Sequence, residues 1–170
     1  SAAQSLKSAT KTGEFELILF SSVALGDGQQ ANNPWLHELP DPLTRASWDN
    51  YLLIAQADAD TLGFTNPVQD NGAINGQYAN LTVNGVVIEN VPVLIQPGQA
   101  KGTIGLSYGY GKTKALKQEM KVGVNAYAVA FGGFQIASVA NAGGEHLFAC
   151  EQLQHTIAGR HDILRETGLE

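Results

Sequence analysis

Gly109-Tyr110-Gly111-Lys112-Thr113 has the residue types of a phosphate cradle: glycines that bare backbone amides, a lysine for charge and a hydroxyl for a bound cation. The spacing does not complete it. A phosphate loop needs a glycine five residues before Gly111, where Leu106 stands, and a dinucleotide fingerprint needs one at position 114, which is Lys114. The glycines therefore read as backbone-shape residues. Of the four histidines, His37, His146, His155 and His161, no two stand at the spacing that sets metal ligands on one helix face, so no metal site is expected. His155 and His161 read as a polar cluster facing solvent or a partner. Ser21 and Ser22 lie near Gly26-Asp27-Gly28, but no Gly-x-Ser-x-Gly elbow occurs, and no catalytic residue can be named.

A single cysteine, Cys150, excludes both an internal disulfide framework and a thiolate cage for an iron–sulfur cluster. It is expected as a small buried hydrophobe. Trp35 and Trp48 bracket a long loop, and packing onto the core is the expectation for both. Asn80-Leu81-Thr82 matches a glycosylation acceptor but falls within an expected strand, so it is set aside.

The elements that must position these residues belong to a chain of 170, the size of one domain. With 44% hydrophobic and 15% charged residues it should fold, and a net charge of −6 argues against nucleic-acid binding. No apolar run approaches the roughly 20 residues that span a bilayer, and Ser1-Ala2-Ala3-Gln4 lacks signal-peptide character, so a soluble fragment without direct membrane insertion is expected. Residues 1–13, small, polar and basic, read as a linker or expression remnant. Residues 14–159 are expected to form the domain, and 160–170 a helical extension or linker.

Glu14 to Ser22 reads as a buried strand, ending at Gly26-Asp27-Gly28. Gln29 to Asn50 reads as a long structured loop in which Asp41-Pro42 starts one helical turn, and loops of this length often carry function. Tyr51 to Ala55 is a second strand, followed by a short helix over Asp58-Ala59-Asp60-Thr61-Leu62 closed by Gly63. Turns are expected at Asn71-Gly72 and Asn75-Gly76. Tyr78 to Val83 and Val86 to Ile95 flank Asn84-Gly85, the strongest short hairpin signal. Gly102 to Tyr110 is a glycine-interrupted strand, Lys112 to Lys121 a solvated excursion, Val122 to Ile136 a set of short apolar runs, and Glu145 to Thr156 the last strand. Short strands and brief helices point to a closed or nearly closed β barrel.

In order, Leu17 to Ser22, Asn33-Pro34-Trp35-Leu36-His37-Glu38-Leu39, Asp58-Ala59-Asp60-Thr61-Leu62-Gly63-Phe64, the Asn84-Gly85 hairpin, Gly102 to Gly111 and Gly123-Val124-Asn125 resemble the C-terminal domain of molybdopterin oxidoreductases. The segments from Gly26 to Pro42 and from Gln96 to Leu106 look like the large iron–sulfur subunit of alternative complex III, a quinol-oxidising respiratory assembly. The resemblance implies a double-psi β barrel with short helices and a non-catalytic domain, with iron–sulfur clusters held elsewhere in the parent and no cofactor in this fragment. It further implies partners among the parent's other domains and the subunits of a membrane-associated complex, on the periplasmic side of the cytoplasmic membrane. The alternative is a cofactor-binding domain of an active molybdenum enzyme holding molybdopterin guanine dinucleotide. Its contacts would fall at Asn32, Asn33, Trp35, Asp58, Gly109, Gly111 and Asn125, with Lys112 adding charge. Ala55-Gln56 replaces the Asn-Pro that often precedes the helical turn in that family. A free-standing hydrolase or sugar-binding barrel ranks last, since no nucleophile–base pair can be named.

Overall fold

Alternate residues of six strands are buried: Phe15 and Leu17, Leu52 and Ile54, Ala79, Leu81 and Val83, Val91 and Val93, Ile104 and Leu106, Ala137 and Val139. This period of two turns one side chain in each pair inward, so the strands wrap around one apolar cluster. In the computed structural model, which describes residues 14–69, 73–114, 117–133 and 135–151, the chain is mainly β with a few short helices. The strands are β1 (Glu14–Phe20), β2 (Ala46–Ser47), β3 (Leu52–Ile54), β4 (Asn75–Val83), β5 (Val86–Ile95), β6 (Thr103–Ser107), β7 (Gln135–Leu147) and β8 (Ala149–Cys150). Helices α1 (Pro34–His37) and α2 (Gln56–Leu62) and two 3₁₀ turns, Gln118–Met120 and Ala126–Val129, complete it.

Six strands pair in the ring β1-β6-β3-β5-β4-β7, and β7 returns to β1 through Glu14–Leu17 against Ser138–Gln135. Two pairs are parallel, β1 with β6 and β3 with β5; the rest are antiparallel. Parallel neighbours need crossover connections, which carry the chain past both ends of the ring. One end is where β1 and β6 finish together at Phe20 and Ser107. Because β3 runs antiparallel to β6, with Ile54 opposite Ile104, β3 finishes at the other end. A smaller cluster of Ala46, Tyr51, Leu94 and Phe148 packs outside the ring, beside the β2–β8 pair.

Local chemistry explains the expected elements. The hairpin tip takes positive φ at both Asn84 (48°) and Gly85 (81°), the conformation that an Asn-Gly pair adopts at least cost. Helix α2 ends on Gly63 at φ 73°, whose amide bonds back to Ala59.

Three expectations need correction. The helical turn in the long loop forms at Pro34–His37, where Asn33 caps it and Pro34 supplies a preset φ; Asp41 instead closes a tight turn by accepting from the Leu43 and Thr44 amides, both at 2.9 Å. Asn75-Gly76 opens strand β4 rather than a turn, pairing with Leu147 and His146. The apolar runs from Val122 hold the second 3₁₀ turn, and only their end at Ile136 enters a 13-residue strand, β7, which continues through Glu145 to Leu147 and is held to β4 across two register shifts. Asn71-Gly72, His155, His161, the remainder of the last strand, and the segments 1–13 and 160–170 lie outside the described residues.

Candidate functional site

At the end where β1 and β6 finish, two loops meet. After β1, Ser22 and Gly26 exchange backbone hydrogen bonds of 3.1 and 3.0 Å, and the Ser22 hydroxyl accepts from the Leu25 amide at 3.0 Å. This tight turn delivers Gly28 against Gly109, which follows β6. A β-carbon on Gly28 would stand 3.4 Å from the Gly109 Cα, and one on Gly109 would stand 2.9 Å from the Leu25 Cβ. Asp27, Gly28, Ala31, Gly109, Gly111, Lys112, Asn125 and Tyr127 line a shallow cleft here of ≈ 240 Å³.

Three of the seven expected contact residues, Gly109, Gly111 and Asn125, thus converge. Asn32, Asn33 and Trp35 follow the lining residue Ala31 in the chain, on the approach to α1 and on α1 itself, and are not among the residues that line the cleft. Trp35 is 80% exposed, so core packing is corrected for it: α1 has a single turn, and His37 is the residue that it buries. Trp48 stacks on that His37, ring centroids 5.0 Å apart. Asp58 is not part of the cleft. It lies on α2 beyond β3, at the opposite end of the ring, where its carboxylate accepts from the Gly102 amide at 2.7 Å.

Several polar groups in and around the cleft are engaged by the chain. The Gly28 amide donates to Leu25 O at 3.0 Å, and the Gly111 amide to Val122 O at 2.9 Å. Asn33 Oδ1 caps α1 through the Trp35 amide, and Asn125 Oδ1 caps the second 3₁₀ turn through the Tyr127 amide, each at 3.1 Å. Tyr127 donates its hydroxyl to Asp27 O at 2.8 Å and stacks on Tyr108, spanning the cleft. Among the described lining residues Lys112 is the one cation, and Asp27 adds a carboxylate of opposite charge. A pyrophosphate needs converging donors and positive charge. These residues fit such a group poorly.

Two polar arrangements went unread in the sequence. Buried Asn50 donates to Ser107 O (2.8 Å) and Val124 O (3.0 Å) and accepts from the Val124 amide (2.8 Å), tying three segments together. Tyr78, His146 and Asp49 form a second tie across β4, β7 and the β2–β3 loop. A carboxylate only accepts, so in the neutral imidazole Nε2 carries the proton toward Asp49 and Nδ1 accepts from Tyr78. Neither has a signal in sequence, because its members are 57 to 97 residues apart. Cys150, expected to be buried, is half-buried against the smaller cluster, and burial raises its thiol pKa to about 11.

Among the described residues no group of three His, Cys, Asp or Glu side chains is arranged to hold a metal ion, and no helix is long and apolar enough to cross a membrane. No protein-family model matches the chain, and no curated protein matches it.

Proposed function

We propose that this chain is a non-catalytic domain of a molybdopterin oxidoreductase-like iron–sulfur subunit, built on a double-psi β barrel, within a respiratory quinol-oxidising complex. The ordered resemblance of Leu17–Asn125 supplies the family, and the two parallel strand pairs, β1–β6 and β3–β5, support the barrel type. The partners on this reading are the parent's other domains and the other subunits of a membrane-associated complex on the periplasmic side.

One observation carries the scaffold reading over the cofactor-binding one. A β-carbon on Gly111 would stand 2.2 Å from the Asn125 amide nitrogen, so the glycine is required by the chain's own backbone. Gly109 is crowded by side chains instead, with the Leu25 Cβ at 2.9 Å and the Ser22 hydroxyl at 3.1 Å. Both glycines are thus accounted for by the chain's own packing, without a ligand. The lone Cys150 supplies no thiolate set, so electron transfer belongs to clusters in other parts of the parent.

The test is elemental and nucleotide analysis of the full-length parent purified without oxygen. Iron without molybdenum, tungsten or released guanine nucleotide supports the scaffold. Stoichiometric molybdenum or tungsten with guanine nucleotide overturns it in favour of a cofactor-binding domain.

A further inference from the structure

Beside the cleft, between the loop after β1 and the 39–49 loop, lies a more enclosed cavity of ≈ 110 Å³, room for several waters or one side-chain head group. Among the described residues, Asp41 and Asp49 line it and no Lys, Arg or His does. The same carboxylates, after burial itself, raise the hydroxyl of the lining Tyr110 to about 12. Both have fixed positions: Asp41 Oδ1 accepts from Leu43, Thr44 and the Thr44 hydroxyl, and Asp49 is held by His146. The mouth is apolar. Val23 is 64% and Leu43 76% exposed, Leu39 adjoins them, and Trp35 stands four residues before Leu39. Large exposed apolar side chains around an acidic pocket are the composition of a protein-binding surface.

We infer that this face docks a partner protein through an arginine or lysine side chain, whose cationic head enters the Asp41–Asp49 pocket while its stem lies along Val23, Leu39 and Leu43. The charge complements two preorganised carboxylates, and the methylene stem matches the rim. This inference goes beyond the oxidoreductase reading and stands without it, because it uses only the chemistry of this surface.

The test titrates the intact chain with acetyl-Leu-Arg-Leu-amide and acetyl-Leu-Gln-Leu-amide, followed by amide chemical shifts. The arginine peptide should bind saturably, on the order of millimolar as expected for one anchor, moving the amides of Val23, Asp41, Leu43 and Asp49. Binding should weaken at least about tenfold in the Asp41→Asn/Asp49→Asn double variant, which keeps the acceptor oxygens. Leu43→Ser, at an exposed position, should weaken it too and covers the case in which the double variant fails to fold. Equal binding of the glutamine peptide, no binding of either, or adsorption to anionic phosphatidylglycerol vesicles in place of the peptide overturns the inference.

Discussion

Gly111 and Asn125 touch backbone to backbone: Gly111 holds φ 74°, and the space its missing side chain would need is filled by the Val124–Asn125 peptide. Gly111→Ala should therefore cost at least about 2 kcal/mol, combining left-handed strain with a clash that only backbone movement relieves. Urea denaturation measures it as a lower midpoint. Gly98→Ala, with φ 84° and open space around it, serves as the control for strain alone and should cost less.

Asn50 is the polar linchpin of the same end. Asn50→Ala strands Ser107 O, Val124 O and the Val124 amide, and is expected to cost about 3 kcal/mol. Asn50→Asp keeps the acceptor but loses both donations, and should be intermediate or worse. Equilibrium unfolding of the two variants checks the order.

Asp58 acts at the far end as an acceptor for Gly102. Asp58→Ala should lower stability by about 1–2 kcal/mol, and Asp58→Asn by less, because the amide oxygen still accepts. Chemical shifts should move around Gly102 and remain fixed at Gly109, Gly111 and Asn125. Changes in both sets would join the two ends of the ring into one site.

Much of this was legible because local chemistry demanded it. Asn84-Gly85 required positive φ, Gly63 a left-handed cap, and the apolar run after Glu14 a strand, though that strand is buried at Phe15 and Leu17 only and exposes Ile18 rather than being buried throughout. β7 was harder to read. Its Asn141-Ala142-Gly143-Gly144-Glu145 stretch is exposed or half-buried and carries no apolar alternation, so it is a strand only because β4 pairs with it. The site divided in the same way. Gly109, Gly111 and Asn125 follow from loops after β6, whereas the location of Asp58 depends on β3 running opposite to β6, which no local pattern encodes.

Tyr110 gives a pH dependence. Burial first, then Asp49 and Asp41, raise its pKa to about 12 in the folded chain, above the value near 10 of an exposed tyrosine. The unfolded chain thus loses this proton first, and stability present below pH 10 should decline as pH rises from 10 toward 12. Buried Tyr51, shifted in the same direction chiefly by burial, adds to the decline. Tyr110→Phe should make it shallower, read as urea midpoint against pH.

On the scaffold reading the cleft between Gly28, Gly111 and Asn125 holds no nucleotide, because the Gly111 amide and Asn125 Oδ1 already serve the chain. The most direct measurement is titration of this chain with guanosine diphosphate, followed by backbone amide shifts. The expected result is no saturable change at Gly109, Gly111, Lys112 or Asn125 up to concentrations on the order of millimolar; saturable shifts confined to those residues, and lost in Lys112→Ala, would contradict the claim.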